Sequence, residues 1–169
     1  FFNHVTLAVT PERLCLGVLD AELWARDFED LNKNDKRKQK PIEEKESYRW
    51  LEGYRRVCDL SEQLPGTQFV SISDREGDIY ECFWEAVRVD GGKRAEFIIR
   101  GCHNRRLPEM LEGGCYKKLM EEVSGKPVLG EVEFQIPKTE NRSARRVVQS
   151  VKAGSVRLKP PYRKGEILP

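Results

Sequence analysis

The stretch "FVSISDREGDIYECF", residues 69–83, joins a short apolar run to a group of side chains that could bind a metal ion. Asp74, Glu76 and Asp78 place three carboxylates within five residues. Mg²⁺ prefers oxygen ligands and usually takes one or two carboxylates together with substrate phosphates. Because the apolar run predicts a strand, Asp74 is expected at its carboxyl end, where functional groups gather in α/β sheets. The alternative interpretation is an ordinary charged loop.

The composition excludes several classes of protein. A length of 169 residues suffices for one domain or slightly more, and 38% hydrophobic residues support a core beneath a surface that is rich in charge. No stretch approaches the ~20 apolar residues of a membrane span, and no signal peptide is visible. The five cysteines are scattered, without a Cys-x-x-Cys pair or a Cys/His cluster, which argues against a zinc site. Free thiols and a cytoplasmic location are therefore expected.

Charge is distributed unevenly along the chain. The net charge is only +2, but residues 1–90 carry 13 Lys/Arg and 19 Asp/Glu, whereas residues 91–169 carry 17 and 9. A basic half favours a polyanionic partner such as a nucleic acid.

The first part of the chain alternates strand and helix patterns. Residues 4–10 and 14–26 predict an antiparallel hairpin with Val5, Leu7 and Val9 on one face, and residues 41–65 predict an amphipathic helix. The strand that leads to Asp74 precedes a second helix. Asp78 and Glu81 have the spacing of a capping box at its start. Residues 95–100 predict a further strand.

The second part of the chain is predicted to be mostly antiparallel β. After a loop, residues 116–123 favour a short helix. Residues 128–137 alternate well, and two more strand candidates follow at 144–154 and 155–161. The fold class expected from the residues is thus α/β followed by a β-rich part.

Five blocks of sequence occur in an order that resembles a known family. They are "HVTLAVTPERLCLGVLDAELWAR", "EEKESYRWLEGY", "VSISDREGDIYE", "FIIRGCHNRRL" and "ARRVVQSVKAGSVRLKPP". Together they are similar to bacterial insertion-sequence transposases of the Asp-Asp-Glu class, in the branch that excises DNA through hairpin ends. Gly77 stands where alanine is frequent in that family.

The resemblance implies a ribonuclease H-like fold that is interrupted by a β-rich insertion. Residues 1–103 would form part of the catalytic core, and residues 104–169 would form an incomplete insertion. Three carboxylates would hold two Mg²⁺ or Mn²⁺ ions for phosphodiester hydrolysis and strand transfer, and Asp74 matches the second of them. The expected partners are transposon-end and target DNA, with a homodimer in the synaptic complex and a location at the bacterial nucleoid.

Two members of the implied triad are not matched in this sequence. The family's first aspartate lies on a strand before the "HVTLAV" block, and its glutamate lies in a Tyr-Arg-Glu-Lys pattern after the insertion. Neither motif is present. The sequence is therefore interpreted as a central piece of a longer protein and is expected to be catalytically inactive alone.

Basic side chains supply the candidate DNA contacts. Arg100 ends a strand expected beside that of Asp74, and His103, Arg105 and Arg106 follow in a loop expected at the same edge. Such residues would contact phosphate and position DNA without reading its sequence. Further candidates are Lys36, Arg37, Lys38, Lys40, Arg142, Arg145 and Arg146. Each could instead form salt bridges or a solvated surface.

Two other functions remain open at this stage. The chain could be a non-catalytic DNA-binding module derived from a transposase, or it could belong to an unrelated metal-dependent nuclease. The neighbouring gene sequence would distinguish them. An aspartate on a predicted strand upstream and a Tyr-Arg-Glu-Lys pattern on a helix downstream would favour the transposase.

Overall fold

The computed structural model describes residues 1–25, 40–88, 94–163 and 166–167. Within them the fold is mixed α/β, with three α-helices and small two-stranded sheets. The chain divides into two compact units, residues 1–102 with 161–169 and residues 103–160. None of the helices in the described ranges combines the length and apolar character needed to cross a membrane.

The first unit begins with the predicted antiparallel hairpin. Strands β1 (Phe2–Val9) and β2 (Cys15–Trp24) pair from Phe2 opposite Trp24 to Val9 opposite Cys15, with two irregularities in register. At each irregularity β2 has one residue more than β1, and such bulges increase the twist of a strand. The hairpin is confirmed, and Val5, Leu7 and Val9, which were predicted to share one face, are all exposed.

Helix α1 (Tyr48–Gln63) packs one face into the core of this unit. Its spacing of apolar residues buries Leu51, Tyr54, Val57 and Cys58, as the amphipathic pattern predicts. The predicted start of the helix at Pro41 is wrong. Residues Ile42–Glu44 form a separate 3₁₀ turn, so the acidic residues of that stretch lie outside the first turn of α1.

A parallel pair of strands follows. Strand β3 (Val70–Ser73) runs parallel to β4 (Glu96–Ile99), with Val70 opposite Glu96 and Ser73 opposite Ile99. Helix α2 (Tyr80–Val87) lies between them in sequence, as a parallel connection requires. The Tyr54 hydroxyl donates to the carbonyl of Ala95 at 2.7 Å, which ties α1 to the start of β4.

The predicted capping box at the start of α2 is wrong. The cap residue of α2 is Ile79, and no side chain caps the helix. The Asp78 carboxylate instead accepts a hydrogen bond from the backbone of Cys102. Asp78 and Glu81 have the spacing of a capping box, but Asp78 bonds to Cys102, which lies 24 residues away, and does not cap the helix.

Glu85 on α2 is a buried carboxylate surrounded by arginines. Two guanidinium nitrogens of Arg55 donate to it at 3.0 and 3.2 Å, and Arg88 and Arg94 approach it at 2.9 and 3.4 Å. Burial disfavours the charge of Arg55, but the hydrogen bonds to Glu85 raise its pKa. Because Arg55 lies on α1 and Arg94 precedes β4, this cluster connects three elements of the core.

The second unit is built from short strands and one helix. Strands β5 (Arg106–Met110) and β6 (Tyr116–Lys118) are antiparallel, and α3 (Leu119–Ser124) follows β6 directly. Strands β7 (Gly130–Ile136) and β8 (Arg145–Val151) form a second antiparallel pair, as predicted. Strand β5 was missed, and the helix predicted over 116–123 is partly strand.

The strand predicted over residues 155–161 is wrong, because those residues have no regular secondary structure. Two short strands, β9 (Tyr162–Arg163) and β10 (Glu166–Ile167), follow and pair with each other. The grouping of residues 161–169 with the first unit was also not expected from the sequence. The assignment of the two units to a catalytic core and an insertion stays a prediction.

Replacing Glu85 with glutamine should destabilise the first unit. The change keeps the shape of the side chain but leaves Arg55, Arg88 and Arg94 around a neutral group. Breaking a buried ion pair costs roughly 3–5 kcal/mol, and we expect about 3 kcal/mol because the arginines are partly exposed to water. Urea unfolding followed by circular dichroism measures the change.

Glu62→Gln is the matched control, since Glu62 is an exposed residue of α1. It should change the free energy of unfolding by at most about 0.5 kcal/mol. Equal unfolding midpoints for the two variants would show that the arginine cluster does not stabilise the fold.

Candidate metal and nucleic-acid site

The register of β3 and β4 brings two of the predicted site residues to the same edge. Ser73 and Ile99 are opposite each other at the ends of their strands, and Arg100 donates its backbone N–H to the Ser73 carbonyl at 3.1 Å. Asp74 and Arg100 therefore begin neighbouring loops at the carboxyl ends of two parallel strands. Both side chains are exposed to solvent.

Asp74 has a structural role as well as an exposed position. It caps the 3₁₀ turn Arg75–Gly77, and its Oδ1 accepts a hydrogen bond from the Glu76 backbone N–H at 2.8 Å. This bond occupies one carboxylate oxygen and fixes the side chain near the tip of β3. An exposed carboxylate held in this way fits a single ligand of Mg²⁺ or Mn²⁺, which takes its remaining ligands from water and phosphate.

Asp78 is a different kind of carboxylate. Its side chain is 2% exposed, and Oδ2 accepts from the Cys102 backbone N–H at 2.6 Å. The Cys102 thiol also donates to the carbonyl of Arg75 at 3.4 Å. These bonds join the loop after β3 to the loop after β4. Asp78 therefore links the two loops at this edge. Glu76, on the 3₁₀ turn between Asp74 and Asp78, is exposed.

Gly77 is enclosed where the turn crosses back over β3. A Cβ at this position would lie 2.3 Å from Ser73 Oγ, 2.8 Å from Ser73 Cβ and 3.3 Å from a ring carbon of Trp50. The Ser73 hydroxyl can rotate away, but its Cβ cannot move without the strand. The alanine that is frequent in the resembling family would not fit here without a shift of the backbone.

The remaining predicted phosphate contacts, His103, Arg105 and Arg106, belong to the second unit. His103 and Arg106 are exposed, and Arg105 is half-buried with its N–H donating to the His103 carbonyl at 2.9 Å. The expectation that they share an edge with Asp74 stays a prediction.

Arg106 belongs to a cationic cluster that the sequence did not reveal. Its guanidinium carbon lies 5.9 Å from the centroid of the Tyr116 ring, and the Lys159 ammonium lies 3.3 Å from the same centroid. The Lys159 backbone N–H donates to the Arg106 carbonyl at 2.9 Å. A hydrogen bond from Lys159, together with its charge, lowers the pKa of Tyr116. No local signal could have paired residues so far apart in sequence.

The other basic candidates differ in their surroundings. Arg146 forms an ion pair with Glu133 on the neighbouring strand, so part of its charge is already neutralised. Arg145 is exposed at the start of β8, and Arg142 lies in the turn before it, bridged to Thr139. Lys40 is half-buried, and Lys36, Arg37 and Lys38 lie outside the described residues.

Comparison with known proteins assigns no family to the chain. No protein-family model matches the sequence, and no curated protein matches it either. The likeness to insertion-sequence transposases therefore rests on the order of the sequence blocks alone.

Gly77→Ala should destabilise the protein, because the added methyl group overlaps the Cβ of Ser73 and approaches Trp50. Overpacking of this kind costs ~1–3 kcal/mol. Thermal or urea unfolding measures the change.

Gly66→Ala is the control, because a Cβ at residue 66 would meet nothing within 4 Å. Similar stability of the two variants would mean that the turn at Gly77 is loosely packed.

Proposed function

We propose that this chain is a central part of the catalytic core of a DNA transposase of the Asp-Asp-Glu class. Its first unit would be part of a ribonuclease H-like domain and its second unit part of the β-rich insertion. The observation that carries the proposal is the position of Asp74 at the carboxyl end of β3. Its side chain is exposed and is oriented by the hydrogen bond that it accepts from the Glu76 backbone N–H. Arg100 at the neighbouring strand end supports it.

Each residue of this edge has a distinct role in the proposal. The exposed carboxylate of Asp74 would coordinate Mg²⁺ or Mn²⁺, and the Arg100 guanidinium would bind a DNA phosphate beside it. The bound metal would supply Lewis-acid stabilisation of charge on the phosphate that is cleaved. The buried Asp78 would keep the two loops together and would not contact DNA.

The chain by itself matches one of the three carboxylates that the proposal requires. A two-metal site needs ligands on both sides of the reacting phosphate, so the chemistry would depend on a longer protein that supplies two further acids. That protein would act on transposon ends and target DNA, would pair with a second copy in the synaptic complex and would work at the bacterial nucleoid.

A second candidate is a DNA-binding module without catalytic activity. The observation in its favour is the cationic cluster of the second unit, where Arg106 and Lys159 both lie near the ring of Tyr116. Two cations and an aromatic ring can bind phosphate and an unstacked base without any metal. Metal binding by Asp74 distinguishes the two functions.

Asp74→Asn should abolish Mn²⁺ binding at the tip of β3 while leaving the fold intact. Asparagine retains an acceptor for the Glu76 N–H but loses the charge that attracts the cation. In the wild-type chain, Mn²⁺ should broaden the NMR amide signals of residues 73–76 at millimolar concentration. The broadening should disappear in the variant.

Glu76→Gln removes a neighbouring exposed charge and serves as the control. It should keep most of the broadening, because Glu76 is not a ligand in this proposal. Broadening that survives in Asp74→Asn and disappears in Glu76→Gln would show that Glu76, and not Asp74, binds the cation. The proposal would then be wrong.

Replacing Arg100, Arg105 and Arg106 together with glutamine should reduce the salt dependence of DNA binding. Each lost phosphate contact lowers the slope of log K against log salt by about one unit, so three contacts give a decrease of up to about three units. Fluorescence anisotropy with a labelled duplex between low and physiological salt measures both slopes.

The control replaces Arg13 and Lys138, which are exposed cations outside the proposed contacts. Its slope should stay close to that of the wild-type chain. An unchanged slope in the triple variant would show that these arginines form a solvated surface and that DNA binds elsewhere.

A further inference from the structure

Several arginines of the first unit are neutralised by neighbouring carboxylates. Arg49 pairs with Glu22, and Arg56 pairs with Asp20. Three more arginines surround the buried Glu85. Other arginines of this unit are exposed and form no ion pair among the side chains that the structure describes, and they are Arg13, Arg75 and Arg100. An exposed arginine without a carboxylate partner is available to bind an anion.

Two of these unpaired arginines lie at the same edge of β3 and β4. Arg100 follows β4, and its backbone N–H donates to the Ser73 carbonyl at 3.1 Å. Arg75 begins the turn after β3, and its carbonyl accepts from the Cys102 thiol at 3.4 Å and from the Asp78 backbone N–H at 3.3 Å. The neighbouring loops are therefore joined at two points. Both arginines start from backbone positions at the tips of strands that run ~4.8 Å apart.

The acids of the same turn leave both guanidinium groups unpaired. Asp74 directs Oδ1 to the Glu76 backbone N–H, and the buried Asp78 carboxylate accepts from the Cys102 backbone. Glu76 is exposed and forms no ion pair among the described side chains. Arginine presents planar N–H donors in a geometry that matches the oxygens of phosphate. Two such groups at one edge therefore favour a phosphate as the ligand.

We propose that Arg75 and Arg100 together bind one phosphodiester group of the DNA backbone. Each guanidinium group has five N–H donors, and the two unesterified oxygens of a phosphodiester can accept several hydrogen bonds. The inference rests on the proposed function and deepens it, because Arg75 becomes a second positioning residue for the phosphate beside Asp74. Neither arginine is a metal ligand in this proposal.

The phosphate site is distinct from the largest concave surface of the first unit. An open groove of about 600 Å³ lies between β1 and β3, and it has no Asp, Glu, Lys or Arg among its lining residues. Phosphate needs cationic or N–H donor groups, which this groove does not supply from its side chains. The charged strand tips are therefore the place where the first unit would contact DNA.

Dimethyl phosphate is a suitable probe, because it has the two unesterified oxygens of DNA without sugar or base. EDTA removes divalent cations, so the measurement does not depend on a metal at Asp74. At constant ionic strength, the NMR Nε–H signals of Arg75 and Arg100 should shift together, with one dissociation constant in the millimolar range. The Nε–H signal of Arg13, which is exposed on the turn between β1 and β2, should not titrate.

A double-mutant cycle tests whether both arginines bind the same phosphate. Arg75→Gln should weaken binding about tenfold, as followed by the backbone amide signal of Glu76. In an Arg100→Gln background the same change should weaken binding less than twofold, because the shared contact is already lost. Arg75→Lys keeps the charge but loses the planar fork, so it should still weaken binding at least threefold. Arg13→Gln is the matched control and should leave the dissociation constant unchanged.

Asp74→Asn tests whether the phosphate lies beside the proposed metal ligand. Without a metal the Asp74 carboxylate repels phosphate, and removal of a like charge ~6 Å away in water should raise the affinity about threefold. Glu62→Gln is the control, since Glu62 lies on α1 about 18 Å of helix beyond Trp50, the residue that approaches Gly77. This control should change the affinity less than 1.5-fold.

Four results would overturn the proposal. They are no titration or separate dissociation constants for Arg75 and Arg100, additive effects in the double-mutant cycle, unchanged affinity in Asp74→Asn, and binding of inorganic phosphate at least a hundredfold tighter than that of dimethyl phosphate. The last result would identify free phosphate or a phosphomonoester as the ligand in place of DNA.

The metal experiment separates this proposal from the proposed function. Coupled binding by Arg75 and Arg100 in EDTA, without Mn²⁺ broadening that depends on Asp74, would support the phosphate site and contradict the metal-dependent function. Mn²⁺ broadening that depends on Asp74, without coupling between the two arginines, would leave the metal site intact and show that the shared phosphate site is wrong.

Discussion

The hydrogen bond from the Cys102 backbone to the buried Asp78 carboxylate is the constraint on which the candidate site depends. At 2.6 Å it joins the loops that follow the two parallel strands, and the Cys102 thiol adds a second contact to Arg75. A buried carboxylate is costly unless it is hydrogen-bonded, so the two loops must stay close whenever the protein is folded. Asp74 and Arg100 owe their adjacency to this junction, together with the pairing of Ser73 and Ile99.

The first unit contains two surfaces of opposite character. The strand tips are charged and exposed, whereas the groove along β1 and β3 carries no Asp, Glu, Lys or Arg among its lining residues. The cluster around Glu85 supports both, because it links α1 to α2 and to the chain before β4. The Tyr54 bond to Ala95 ties α1 to the same region. A charged edge and a groove without acidic or basic lining residues therefore occur in the same unit.

The second unit shows how basic residues differ in their capacity to bind phosphate. The charge of Arg146 is shared with Glu133. In contrast, Arg106 and Lys159 converge on the ring of Tyr116 and concentrate positive charge at one place. Lys117 and Lys126 are both paired with Glu122, and these hydrogen bonds lower the pKa of that carboxyl to about 2. The excess of basic residues in this half is therefore only partly available to a polyanion.

The sequence by itself determined the hairpin, the buried face of α1, the strand that ends at Asp74, and the pairing pattern of β7 and β8. These features follow from the short-range alternation of side chains, which a sequence displays directly. The tertiary structure decided the partner of Asp78, which lies 24 residues away, and the cluster of Glu85, whose Arg55 partner is 30 residues away. It also decided the confinement of Gly77 and the meeting of Arg106 with Lys159. Each of these depends on which distant segments pack together, and residue spacing along the chain does not carry that information.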